Sequence, residues 1–248
     1  MDFNGLGLPH TETAPAEAEG RRRYLDAGQR RGPWAIDSHL GPADRERPLT
    51  RREPSILILA SASPRRRELL RSICAEFEVI PSGVAEVLEP GPYPEAVARL
   101  ALRKAGAVAA RLQGGVVLGA DTIVVIDGEC LGKPAHAEEA RAMLQRLRGR
   151  DHIVITGVGV VEAPRGRAAS TAVTSRVLMA DYPDATIEAY VGSGAPLDKA
   201  GGYAVQDLGG ELVAGVIGSY TNVIGLPLAE TRRMLEEFGV SLTPPPPA

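Results

Sequence analysis

The chain has 248 residues, a formal net charge of −3 and a pI near 5.9, with 44% hydrophobic and 24% charged residues. So balanced a charge argues against a nucleic-acid binder held by bulk electrostatics. The two cysteines, Cys74 and Cys130, do not suggest a disulfide framework. With no apolar run near the ~20 residues of a membrane span, a cytoplasmic protein with no membrane partner is expected.

Residues 1–53 mix charge with scattered Gly and Pro and keep neither a period of 2 nor one of 3.6. That composition predicts a largely disordered extension. One α/β domain is expected over 54–242, followed by a Pro-rich tail over 243–248. Leu57 to Ala60 read as a short buried strand. Ser63 is a good N-cap and Pro64 fits the first helical position, so a helix follows with Leu69, Leu70 and Ile73 on its apolar face. A second strand-like piece lies around Phe77 to Pro81. A helix is predicted from about Pro94 to Leu112, and GVVLGADTIVVIDG reads as a buried strand or strand pair. AEEARAMLQRLRG reads as a helix ending at Gly149. HIVITGVGVVEA and TAVTSRVLMA read as an antiparallel pair turning near Pro164 to Gly166. A short helix over 183–191, two more strands between Gly201 and Gly218, and a final helix opened by Pro227 complete the pattern. Helices and strands mixed this way argue for a mixed-sheet α/β fold.

Several charges stand where local structure disfavours them. Arg65, Arg66 and Arg67 fall in the first turn of a helix, at the positive end of its dipole, where each costs about 0.3–1 kcal/mol. A serine-rich turn, backbone N–H groups and converging guanidinium groups there suit a phosphate chain, although a solvated basic helix start is the alternative. Lys104 lies on the apolar stripe of Val97, Leu100, Ala101, Val108 and Leu112. It reads either as a snorkelling lysine or as an ammonium aimed into a cleft. Asp121 interrupts the apolar run from Val116 to Ile126. A buried carboxylate needs a cation, a metal or a donor, so an ion pair or a catalytic or metal-binding role is expected. Glu86, Lys133 and Gln206, the last placed on a short strand between glycines, carry little meaning singly. The four histidines show no ligand spacing, and no Walker or dinucleotide-binding glycine fingerprint occurs.

Taken in order, LASASPRRRELL, the GVAE loop, LALRKA, LGADTIVV, GKP, ITGV, GAPLDKAGGYAVQDLGG and GSYTNVIGLPL resemble the Maf family of nucleotide pyrophosphatases, historically called septum-formation inhibitors. The resemblance covers about Ser55 to Phe238. It implies two lobes around a deep cleft, as in inosine-triphosphate pyrophosphatases, and hydrolysis of nucleoside triphosphates to monophosphate and pyrophosphate with a divalent metal, Mg2+ or Mn2+. By motif it implies Asp121 as proton acceptor with Lys104 and Lys133 as catalytic cations. Ser63, Arg65, Arg66, Thr122 and Gln206 are implied as substrate-binding residues, and Glu86 with Asp121 as metal ligands. Arg65, Thr122 and Gln206 together match the branch similar to dTTP/UTP pyrophosphatases rather than the one associated with 7-methyl-GTP. Asp207 departs from the glycine common at its position. A homodimer is also implied. The rival expectation is a non-enzymatic, nucleotide-sensing regulator of septum formation, which predicts loss of a catalytic carboxylate or lysine.

Overall fold

The computed structural model describes residues 56–242. The expected extension over 1–53 and the tail over 243–248 lie outside the described residues. In chain order the elements are β1 (Leu57–Leu59), α1 (Pro64–Arg71), β2 (Glu78–Val79), α2 (Tyr93–Ala109), β3 (Gly115–Ile126), β4 (Glu129–Leu131), α3 (Ala137–Leu147), β5 (Asp151–Ala163), β6 (Ala168–Met179), α4 (Asp184–Gly192), β7 (Val213–Ile217), α5 (Tyr220–Ile224) and α6 (Leu228–Glu237).

Seven strands form one mixed sheet in the order β2-β1-β3-β5-β6-β7, with β4 added to β3. The β1 strand runs parallel to both β2 and β3, whereas β3, β5, β6 and β7 are antiparallel neighbours. The long strands form because β-branched residues fill them and both faces are covered. At the end of β3, Asp127 (φ 55°) and Gly128 (φ 77°) take the left-handed backbone that a tight hairpin demands, and β4 folds back.

That hairpin has a consequence for the site. The β1 strand pairs with the first part of β3, Leu57 to Leu59 against Val116 to Leu118, while β4 pairs with its last part, Val124 to Ile126. Between them, Gly119 to Ile123 have no strand neighbour on that edge among the described residues, and Asp121 and Thr122 sit in the gap.

Side chains alternate across the sheet. On one face α2 crosses β3 and β5, burying Val97, Ala105 and Val108 against Val117, Ile123 and Ile155. The approach is close because Gly119, Gly157 and Gly159 carry no side chain: a Cβ at these positions would lie 2.4 Å from Ala101 O, 2.3 Å from Val97 O and 2.6 Å from Leu102 Cα. On the opposite face the core is divided. Leu70, Leu118, Val158 and Leu235 pack α1 and α6 over one part, while Val124, Leu144, Val177 and Ile187 pack α3 and α4 over the other. A polar seam of Thr122, Thr156, Ser175 and Asn222 runs between those clusters.

The expected α/β class and mixed sheet are present. Two local expectations need correction. Only β7 forms in the Gly-rich stretch from Gly201 to Gly218, because its first part folds into short 3-10 turns around left-handed Gly201 and Gly202. Gln206 therefore stands in a turn, not on a strand. Helix α5 was not expected; at five residues it is too short to show a period.

Candidate active site

The predicted residues converge. Ser63, Arg65, Arg66, Glu86, Lys104, Asp121, Thr122, Lys133 and Gln206 all line one cavity of about 510 Å³. They come from the start of α1, the loop before α2, the middle of α2, the centre of β3, the loop after β4 and the turn after Tyr203.

Lys104 is 5% exposed and Asp121 6%. The Lys104 ammonium donates to Asp121 Oδ1 at 2.6 Å and to Glu86 Oε1 at 2.8 Å, and Lys133 Nζ donates to Glu86 Oε2 at 2.8 Å. Four charged groups thus form one alternating chain, Asp121–Lys104–Glu86–Lys133. A lysine on an apolar stripe is tolerated here because two carboxylates compensate its charge. Burial alone would raise the Glu86 carboxyl, but the hydrogen bonds and charges of Lys104 and Lys133 prevail and hold it at about 2. Asp121 Oδ2 has no protein donor among the described residues and remains a free acceptor.

Across the cavity, Ser63 caps α1 by accepting from Arg66 N at 3.4 Å. No acidic residue occupies the first turn of that helix. Arg66 is fastened by three neutral oxygens: Nε donates to Gly225 O at 2.9 Å, Nη1 to Ser61 Oγ at 3.3 Å and Nη2 to Thr122 Oγ1 at 3.0 Å. Burial lowers the Arg66 guanidinium from its usual value, while the charges of Asp121 and Glu86 oppose that fall. Five guanidinium N–H groups less three leaves two for a ligand. Arg65 lines the cavity with no hydrogen-bond acceptor among the described residues.

Residues not singled out from the sequence also form the wall. Ser61 holds Arg66. Lys199, 8% exposed, donates to Ala195 O and Asp198 and lies 3.5 Å from Asp207. Asp207 also accepts from the Tyr190 hydroxyl, which ties the turn that presents Gln206 to α4. Lysine in a Gly/Pro-rich loop carried no periodic signal, and only its burial sets it apart. No helix among the described residues is long and apolar enough to cross a membrane.

Comparison with known proteins follows the same residues. The family model for Maf-like protein matches residues 56–238. A dTTP/UTP pyrophosphatase of Moorella thermoacetica is 52% identical over 193 residues, covering 76% of this chain and 97% of the relative. Proteins of the same name from Syntrophus aciditrophicus and Myxococcus xanthus are each 50% identical, covering 75% and 77% of this chain and 91% and 96% of the relatives. With the family model spanning the described domain and relatives matched over nearly their whole length, the chain belongs to the Maf-like protein family.

Proposed function

We propose that this protein hydrolyses dTTP and UTP, together with modified pyrimidine nucleotides of similar shape, to the monophosphate and pyrophosphate. The observation that carries the reading is the buried Lys104 bridging Asp121 and Glu86 on one wall of a cavity whose other wall presents Arg65 and Arg66. Cleavage between the α- and β-phosphates needs an activated water and cations where negative charge develops. Asp121, with Oδ2 unengaged, accepts the proton of the attacking water. Lys104 fixes that carboxylate in place and excludes alternative rotamers. Arg65, Arg66 and Lys133 neutralise the phosphates, and the Gln206 amide offers a donor and an acceptor to a pyrimidine edge.

The donor set also fits a divalent cation. Asp121 Oδ1 and Glu86 Oε1 already converge on one cation, the Lys104 ammonium, within 2.6 and 2.8 Å. Among the described residues no third His, Cys, Asp or Glu completes a cluster. Two carboxylates finished by substrate phosphate oxygens and water are the ligand set that Mg2+ or Mn2+ accepts. When bound, such an ion supplies charge neutralisation at the phosphates.

A regulator that only senses nucleotide would not need this complete set of two carboxylates and two lysines at one cavity. We extend the proposal to a cytoplasmic homodimer, which sedimentation of the full chain tests. The activity itself is tested by pyrophosphate release across canonical and modified nucleotides with Mg2+ and with Mn2+. Turnover of dTTP and UTP above ATP and GTP is expected; equal turnover of all four, or none, removes the reading.

A further inference from the structure

Thr122 sits at the cavity wall, and its hydroxyl belongs to a chain of hydrogen bonds whose direction can be deduced. Thr156 Oγ1 is 2.9 Å from the Asn222 carbonyl oxygen and 2.9 Å from Thr122 Oγ1. A carbonyl only accepts, so the single Thr156 proton goes to Asn222. Thr156 must then accept from Thr122, which spends the only Thr122 proton inward. Arg66 Nη2 donates to Thr122 Oγ1 at 3.0 Å and takes one of its two lone pairs. One lone pair remains, and it is all that Thr122 can offer to a ligand.

The far end of this chain is firmly held. Thr156 and Asn222 are both 0% exposed. The Asn222 amide donates to Val154 O at 3.1 Å and Ser175 Oγ at 3.0 Å, and its backbone N–H meets the Ser219 cap at 3.1 Å. The carbonyl that fixes the direction therefore cannot turn away. Thr122 and Thr156 face each other directly in the β3–β5 register, so the strand pairing itself sets their spacing.

We propose that Thr156 is a positioning residue for specificity: through the one-way chain Arg66 to Thr122 to Thr156 to Asn222, it makes Thr122 acceptor-only toward the cavity. This rests on the dTTP/UTP reading above and deepens it. A phosphate oxygen or a base acceptor gains nothing from Thr122, whereas a nucleoside donor does. Two groups shared by dTTP and UTP have that chemistry, the pyrimidine N3–H and the 3′-hydroxyl.

The test measures pyrophosphate release and binding for UTP, N3-methyl-UTP and 3′-deoxy-UTP with the full chain, Thr156→Val and Thr156→Ser. The unaltered chain should lose about three- to tenfold in kcat/KM on the analogue that lacks the relevant donor, the scale of one neutral hydrogen bond. Which analogue suffers identifies the source. In Thr156→Val the Thr122 proton is released to the cavity, so that penalty should shrink below about twofold; Thr156→Ser keeps a donor and should restore it. A merely structural role would lower all three substrates together. Should Thr156→Val fail to fold, Thr156→Cys, with a weak thiol donor, carries the same expectation at reduced size. A penalty in Thr156→Val, or in Thr156→Cys where the valine variant does not fold, equal to that of the unaltered chain, or no penalty with either analogue, overturns this proposal alone. An unaltered chain that neither binds nor cleaves UTP overturns the dTTP/UTP reading and the proposal with it.

Discussion

Two cations stand on opposite faces of the same stretch of β3, and they are kept in opposite ways. Lys104, on the α2 face, is held by two carboxylates. Arg66, on the α1 face, is held by a carbonyl and two hydroxyls, with no carboxylate among the described residues in hydrogen-bond contact. The difference gives the cavity a polarity. The α2 face is internally neutralised and suited to handling a proton. The α1 face keeps an excess of positive charge that a polyanion would satisfy, at the end of a helix whose dipole favours the same ligand.

The sharpest way to break the contrast is at its carboxylate. Asp121→Asn keeps the shape and an acceptor for Lys104 but removes the basic oxygen. We expect kcat to fall by roughly 10²–10⁴-fold, the scale of a general base, with folding retained. Near-normal turnover of a folded variant would withdraw Asp121 from proton transfer.

Removing each cation in turn should separate stability from binding. Lys104→Met leaves Asp121 buried without its partner and should cost about 3–5 kcal/mol in urea unfolding. Arg66→Met strands only neutral acceptors, so its stability loss should be clearly smaller. Its KM for triphosphates should nevertheless rise about 10–100-fold, as expected for lost charged hydrogen bonds. Comparable destabilisation by both changes would mean that the two faces are not differently compensated.

A smaller effect is expected at Gln206. Replacing it by glutamate removes the amide donor, so kcat/KM should fall several-fold for dTTP and UTP and less for poor substrates, whose phosphate contacts are unchanged. Equal losses on every nucleotide would move Gln206 from the base to the phosphates.

The most graded prediction concerns acid. Glu86 is held at about 2 in the folded chain, below its ordinary 4.5, so it stabilises the fold above that ordinary value. This contribution fades as pH falls from about 4.5 toward 2. His152 is buried beside Tyr203 of the cluster under α3 and α4, 2.6 Å from its hydroxyl, and burial lowers it to about 4 from 6.5. Its neutral form favours folding, and that contribution is lost as pH falls from 6.5 toward 4. Thermal midpoints should begin to drop below about pH 6.5, and His152→Leu should flatten that first decline while leaving the Glu86 decline in place.

How much of this was legible in the sequence depended on whether a residue stood inside a period. Lys104 and Asp121 interrupt a helical stripe and a buried strand, so their oddity could be read directly. Glu86 sits in an irregular loop without a pattern to violate, and the family resemblance alone raised it above its acidic neighbours. The Arg65–Arg67 run pointed to an anion. It did not disclose that three of the Arg66 donors are committed to Ser61, Thr122 and Gly225, because those partners lie far apart in the chain. The sequence around Gln206 reads as a strand because alternation between glycines mimics one, while the left-handed backbone of Gly201 and Gly202 starts a series of turns instead.

The three bare glycines beneath α2 carry no functional group, yet they decide how far the Lys104 amine stands from β3. A methyl group at Gly119, Gly157 or Gly159 would meet the helix backbone at 2.3–2.6 Å and drive it outward. Transplanting Asp121 and Lys104, with the loops that carry Glu86 and Lys133, onto another strand and helix would therefore move the chemistry without its distances. A designer borrowing this centre would have to import the absent side chains along with the present ones.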